Sequence, residues 1–600
     1  MRLMLMRPIL MILLLALAVP AFAVNSLQPG TFQNLEAALA EGLISPSEAA
    51  LNKAYFAFEP EKVDSRFLVA SDLDRKFKDG TWTFQSILID PDVDQSVKDY
   101  LQAQMNAPFE GDRDDRVNFI SPMGWFQLSY STFGPNAVPV ADNDGSGTPD
   151  FVEWCADYMD FSWQTEIVDM GFIAPYIPDG SYYYVSFEDM GYYGYTSIMN
   201  AGLGQTRIVL HNDFFGFPAN DDPDGNQKGA AKVTCAHEFK HASQYKGSRW
   251  TEGGWVEVDA VWAEEAVYPA TNDYHIYIAY TGSPLYSPSY SLDYGGSGSY
   301  EDCLWQQIMS ETYGNQIIVD FWDWRQTNTG TSMLNSYRYW LQQYGTDLED
   351  MWAEFIQWNN FTGIYSLPGY SYPDAPDLYS RRNWKNVAGL PAGPQSTSLN
   401  HLAARFARHW NISGEADYPK VIFSGTSTVD YRPQVIITKP NDTAVIFEME
   451  VDGSGNSTFV VPIAFADMDE LHIGFANCSQ TANGSITYDL QTDPSGGSDA
   501  PVIPGYGSMK LHPNYPNPFN PKTTLRFELA ADAPVYLEVV SPGGRVLRHL
   551  ISGESYDAGE HEIAFDGKDD AGKSLASGVY FTRMHLDGNE TQVRKIQLLK

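Results

Sequence analysis

Cysteine is scarce in this chain. Four occur in 600 residues, at Cys155, Cys235, Cys303 and Cys478. A disulfide-stapled scaffold is thereby excluded, and the three pairings that four cysteines allow stay open. Basic residues are scarce too: 38 Lys and Arg stand against 76 Asp and Glu, for a net charge of −38. That deficit argues against nucleic-acid binding and against docking on anionic lipid. It suits a soluble protein that holds calcium, or acidity that serves solubility alone. Beyond the N-terminus no apolar run is long enough to cross a bilayer. Histidine is sparse at 11, so a spaced pair of histidines is worth following.

What is present is a composition that folds, with 43% hydrophobic and 14% aromatic residues. A chain of this length predicts two to four domains. Arg2 and Arg7 precede the apolar run Ile9 to Val19, and Ala21-Phe22-Ala23 has the small-x-small form of a cleavage site. Residues 1–23 therefore read as a signal peptide, too short in its apolar part to span a membrane. Residues 24–111 read as a candidate propeptide or as the first layer of the domain that follows. Helices are expected there over Leu35 to Glu41, stopped by Gly42, and from Ser45 to about Phe56. The second is marked by Ser45 as cap, Pro46 in the first helical position and Glu48 closing a capping box.

Residues 112–397 predict an α+β domain. Its clearest strands are 182–187 and 206–210, and its pattern turns helical from Gly229 to about Tyr344. From Ser398 short β-rich runs such as Val421-Ile422-Phe423 and Gln434-Val435-Ile436-Ile437 alternate with turn residues. They predict a β-sandwich over 398–491, then a flexible linker over 492–508 and a second all-β module over 509–600. A monomer is expected.

The chemistry is concentrated in His237-Glu238-Phe239-Lys240-His241. A helix brings residues i and i+4 to one face, so His237 and His241 can ligate one Zn2+, with Glu238 placed to move a proton to and from water. Gly247 is expected to end this helix. A second helix is expected from Trp255 to Tyr268, closed by Pro269. On it Glu257, Val261, Glu264 and Tyr268 share a face, while Trp255, Val258 and Trp262 face a core. A catalytic zinc wants three protein ligands and an open position.

The pentapeptide followed by Trp255-x-Glu257-x-x-Ala260 resembles the gluzincin branch of the zincin metallopeptidases. That resemblance implies a zincin-like domain and Glu257 as third ligand. Glu264 is the alternative ligand, or a partner that orients an imidazole. The chain is also similar, over roughly Asn118 to Arg325, to large secreted bacterial metalloproteases with C-terminal β modules. Tyr300, Tyr294 and His275 are candidate oxyanion donors, Tyr300 foremost.

Residues 142–153 fit the twelve-position EF-hand loop. Asp142, Asp144, Ser146, Thr148, Asp150 and Glu153 supply oxygen ligands, and Gly147 stands where the backbone turns sharply. A structural Ca2+ is expected. The segment 511–524, rich in Pro and Asn, opens a module similar to the C-terminal sorting domains of the bacterial type IX secretion system. That similarity implies Sec export, passage across the outer membrane, and release or surface attachment. The function expected is that of a secreted zinc endopeptidase acting on protein or peptide substrates. Two alternatives stay open: an inactive surface adhesin on a zincin scaffold, and a zinc amidase acting on cell-wall peptide.

Overall fold

The computed structural model describes residues 30–69, 77–107, 116–279, 282–294, 300–367, 370–389, 392–412, 417–439, 443–495, 509–511, 514, 519–529, 533–541, 545–557, 559–576, 578–586 and 591–598. The expected signal peptide, most of the expected 492–508 linker and six of residues 512–524 lie outside them.

The described chain opens with helices α1 (Thr31–Ala40) and α2 (Pro46–Phe58). The box that starts α2 is closed on both sides. Glu48 N–H donates to Ser45 Oγ at 3.2 Å, and Ser45 N–H to Glu48 Oε2 at 2.8 Å. A short strand β1 (Phe77–Asp79) leads into α3 (Thr81–Ile89) and α4 (Gln95–Asn106). Strands β2 (Arg116–Ile120) and β3 (Phe126–Ser131) follow, then α5 (Asp150–Trp163), which runs on into a π-helical stretch, Gln164–Met170. Strands β4 (Tyr183–Glu188), β5 (Tyr192–Asn200) and β6 (Gln205–His211) complete one six-stranded mixed sheet. Its order is β1-β5-β6-β4-β3-β2, with β5 antiparallel to β6 and β1 parallel to β5 along its outer edge.

Alternation divides the sheet into two faces. Ile208 and Leu210 turn towards α5 and a long helix α6 (Asn226–Ser248), in a core with Val185, Phe187, Met159 and Phe239. Val209, Tyr192 and Tyr195 turn the other way, onto Phe84, Ile87, Val97 and Leu101 of α3 and α4. Helices α2, α3 and α4 thus form an outer layer over the sheet.

Helix α7 (Trp255–Val267) packs against α6 and, with α8 (Leu304–Tyr313), α9 (Gln316–Arg325), α10 (Met333–Gln343) and α11 (Leu348–Asn360), builds an aromatic-rich core. Trp255, Val258 and Trp262 lie in it, on the face that the spacing predicts.

Two sheets come next. One is ordered β13-β10-β15-β8 and the other β12-β11-β14-β9-β7. Their strands are β7 (Lys385–Ala388), β8 (Ala392–Leu399), β9 (Ala403–Trp410), β10 (Tyr418–Gly425), β11 (Tyr431–Lys439), β12 (Thr443–Glu448), β13 (Asn456–Val460), β14 (Glu470–Asn477) and β15 (Gly484–Asp493). Val421, Phe423, Val435, Ile473, Phe475 and Tyr488 fill the space between them. β8 begins ahead of Ser398. As an edge strand it pairs through its backbone with β15 and needs no apolar alternation. A smaller pair of sheets ends the chain. One holds β16 (Met509–Leu511), β17 (Thr523–Leu529) and β20 (Gly559–Phe565); the other holds β18 (Ala533–Val540), β19 (Val546–Tyr556), β21 (Gly578–Leu586) and β22 (Thr591–Leu598). Phe527, Val535, Leu537, Val539 and Ile596 lie in their shared core. The molecule is thus a mixed helix-and-sheet body followed by sandwich-like pairs of sheets.

All four cysteines are buried and free. Among the described residues no helix is long and apolar enough to cross a membrane.

Candidate metal centre

Helix α6 carries His237, Glu238 and His241 in its buried stretch. It does not end at Gly247. The helix runs to Ser248 and stops at Arg249, which turns left-handed (φ 62°) and donates its N–H to Tyr245 O at 3.1 Å. Gly247 serves close packing instead, since a Cβ there would come within 3.3 Å of Gln326 Cγ. On the sheet side Gly194 of β5 lets α6 approach. A Cβ on it would meet Thr234 at 2.8 Å and Glu238 at 3.0 Å.

His237, His241 and Glu257 come together. His237 Nε2 and His241 Nε2 are 3.1 Å apart, and each lies 3.3 Å from Glu257 Oε2. The ring nitrogens on the far side are both engaged. His237 Nδ1 lies 2.7 Å from Glu264 Oε1, and His241 Nδ1 lies 2.9 Å from Gln244 Oε1. The amide orientation of Gln244 follows from its other partners, because its Nε2 donates to Val256 O at 3.0 Å and to Asp259 Oδ2 at 3.2 Å. Each Nδ1 therefore carries the proton, and each Nε2 directs a lone pair at the same point as a carboxylate oxygen.

Three lone pairs converging at this distance could hold a cation between them. For Zn2+ with bonds of about 2.0–2.1 Å, tetrahedral ligands stand about 3.3 Å apart, close to the edges of this triangle. The donor set, two imidazoles and a carboxylate, is also one that zinc accepts. Burial lowers the His237 pKa; with no cation between them, the Glu257 and Glu264 carboxylates outweigh that effect and hold it above its ordinary value. Glu264 holds an imidazole from behind, the second of the two roles open to it in the sequence.

Glu238 is fully buried and anchored from two sides. Thr196 Oγ1 of β5 donates to its Oε2 at 2.8 Å, and Thr81 Oγ1 of α3 donates to the same atom at 3.0 Å. Thr81 Oγ1 in turn accepts from Thr196 N–H at 2.8 Å. The Trp82 backbone N–H donates to Glu257 Oε1 at 3.2 Å. None of Thr81, Trp82 or Thr196 has a sequence signature. Gln244 has one: it stands one helical turn after His241.

Behind Gln244 lies a buried ionic cluster. Lys240 Nζ is 3.2 Å from Asp259 Oδ2, and both side chains are fully buried. Burial pushes Lys240 down and Asp259 up, each against the other's charge. Glu166, in the π-helical stretch, is buried as well, and burial raises its carboxyl well above the ordinary range.

Of the three oxyanion candidates, Tyr300 is at the centre, its ring stacked on that of His237 at 5.7 Å. Tyr294 is exposed and stacks on Tyr290, and His275 binds Asp374 at 2.8 Å, so neither of these is brought to the histidines.

The loop before α5 gathers Asp142, Asp144 and Asp150, with carboxylate oxygens within 4.8 Å of one another. Asp142 accepts from the N–H groups of Gly145, Ser146 and Gly147, and Ser146 Oγ bonds Thr148 O at 3.2 Å. Gly145 and Gly147 take positive φ. Glu153 stands in the first turn of α5, outside the gathered carboxylates.

No family model matches the chain, and no curated protein does. Among solved structures it is similar to PorZ, a surface component of the type IX secretion system of Porphyromonas gingivalis. The identity is 14%, over 28% of this chain and 22% of that one, with a TM-score of 0.13. Dimeric latent PorU from the same organism gives 15% identity over 36% and 19%, with a TM-score of 0.14. A β-1,2-glucanase from Parabacteroides distasonis gives 6% over 34% and 31%, at 0.12. This chain thus spans about a fifth of the two secretion components, and at these scores the likenesses carry no argument about its fold or activity.

Proposed function

We propose that the chain is an exported zinc-dependent endopeptidase with a zincin-like centre. The observation that carries this reading is the triangle of His237 Nε2, His241 Nε2 and Glu257 Oε2, with both Nδ1 atoms tied to acceptors. These three residues would hold the metal, and zinc bound there supplies Lewis acidity towards water and a peptide carbonyl. Glu238 takes a proton from the attacking water and returns it to the departing amine. Thr196 keeps the Glu238 carboxylate aimed, through the 2.8 Å bond to Oε2. Glu264 and Gln244 fix the tautomers that leave both Nε2 atoms free to ligate. Tyr300, stacked on His237, is the nearest of the oxyanion candidates.

Around this centre, the 142–153 loop is read as a calcium site and residues 509–600 as a type IX sorting module. The gathered Asp142, Asp144 and Asp150 support the first. The sequence pattern and the paired sheets support the second.

The deciding experiment uses Glu238→Gln on the zinc-loaded mature chain. Zinc content is expected to stay at the wild-type level while hydrolysis of a denatured protein falls about 10²–10⁴-fold. Hydrolysis that survives the substitution overturns the mechanism. Zinc content unaffected by Glu257→Ala overturns the ligand set.

A further inference from the structure

The centre is closed to a macromolecular substrate. His237, Glu238, His241, Glu257 and Glu264 are all buried, none more than 4% exposed. Part of that closure comes from far away in the chain. β1 pairs in parallel with β5, Phe77 opposite Tyr192 and Asp79 opposite Gly194, and the next N–H, of Gly80, donates to Gly194 O at 3.0 Å. The sheet edge beside the centre is thereby filled. From there the chain crosses to the other side. Thr81 donates to Glu238, the Trp82 N–H donates to Glu257, and the Trp82 ring lies over Gly253, just ahead of α7. One short segment thus occupies a strand edge, the proton-transferring carboxylate and a ligand carboxylate together.

We infer that residues 77–82 are an intramolecular blocking segment, which must leave the edge of β5 before the centre can take a protein substrate. The inference rests on the peptidase reading. The contacts suit a cover better than a support. Glu238 keeps the Thr196 hydroxyl when Thr81 is gone, and Glu257 contributes its other oxygen, Oε2, to the triangle. Thr81 and Trp82 form the first turn of α3, and the rest of that helix holds to the sheet through Phe84 and Ile87 against Tyr192, Tyr195 and Val209. Displacement therefore unwinds the first turn of α3, breaks a few polar contacts, that of the Thr196 N–H to Thr81 Oγ1 among them, and leaves Phe84 and Ile87 in the outer core.

The test compares three zinc-loaded full-length samples: the intact chain, Thr81→Ala, and a chain nicked at a specific-protease site inserted between residues 107 and 116. Two readouts are taken, hydrolysis of a denatured protein and the rate at which dipicolinate withdraws zinc. Loss of a hydrogen bond to a carboxylate is expected to speed both by about tenfold or more in the variant, and the nick is expected to speed them further. Equal rates in all three samples overturn the blocking role and leave the peptidase reading standing. Slower hydrolysis in Thr81→Ala with unchanged zinc withdrawal also overturns it, because Thr81 is then a support for Glu238. Faster withdrawal without hydrolysis in any sample keeps the blocking segment and sinks the peptidase reading. A chain that takes up no zinc overturns both.

Discussion

Nδ1 of His237 lies 2.7 Å from Oε1 of Glu264, two helical turns beyond Glu257 on α7. The two glutamates thus divide between them the two sides of one imidazole. Glu264→Gln is expected to weaken zinc binding about 10–100-fold, and Glu257→Ala by more. Competition against a chromogenic chelator measures both. The reverse order of losses would exchange their roles.

Gln244 does for His241 what Glu264 does for His237, but with a neutral acceptor. Gln244→Leu leaves the Nδ1–H without its acceptor and is expected to cost about 10–100-fold in zinc affinity. Gln244→Glu keeps an oxygen in place and is expected to recover most of it. Equal affinity in wild type and Gln244→Leu would show that packing alone orients the ring.

The Lys240–Asp259 pair is buried beneath this bond. Lys240→Met strands the Asp259 carboxylate and is expected to destabilise the helical body by about 3–5 kcal/mol. Adding Asp259→Leu is expected to return only part of that loss, since it removes the stranded charge but also the acceptor of Gln244 Nε2 and Gln306 Nε2. Urea denaturation of the two variants measures it. A double mutant less stable than the single would show that the charges bind something further.

In the calcium reading, chelation lowers the melting temperature of wild type and leaves that of Asp142→Ala unchanged. Calcium at a hundredfold excess over its Kd stabilises by about 2.7 kcal/mol. The same chelator-induced drop in both chains would reduce the loop to a turn.

His409 and His472 make the first sandwich acid-sensitive. Burial, then the neighbouring His472, pushes His409 down to about 4, and burial pushes His472 to about 4 against its bond to Glu470. The unfolded chain protonates these rings near pH 6.5, before the folded one does. Stability is therefore complete above about pH 6.5 and falls as the pH drops to about 4, by up to about 1.4 kcal/mol per pH unit for each ring. Glu470 acts in the same direction lower down. Burial opposes its ionisation, but Arg408 and His472 hold it at about 2, so its contribution is lost below its ordinary value of 4.5. The gap between urea midpoints at pH 7 and pH 5 is expected to narrow by about half in His409→Gln, His472 carrying the rest. An unchanged gap in that variant would clear His409.

The parts of the centre that the sequence discloses are those built within a helix or between neighbouring helices. His237 and His241 are one turn apart, Glu257 and Glu264 two turns apart, and a short turn brings α7 back against α6. Helical period and loop length are enough for that. Thr196 and Thr81 are ordinary threonines until the fold sets them against Glu238, and the Trp82 donor is a backbone N–H, identical in every residue but proline. β8 shows the same limit in the sandwich, because an exposed edge strand is held by backbone bonds and not by its side-chain pattern. Gly247 reads as a helix stop and serves as a packing site, a choice made by Gln326 just past the end of α9.

The bond between Thr81 and Glu238 spans 157 positions, and that between Trp82 and Glu257 spans 175. Contacts so far apart in the chain form late in folding, and by then residues 77–82 have long since been synthesised. On the blocking reading, the covering residues are therefore already present when α6 and α7 emerge. On the peptidase reading, folding in this order would spare the chain's own unfolded neighbours.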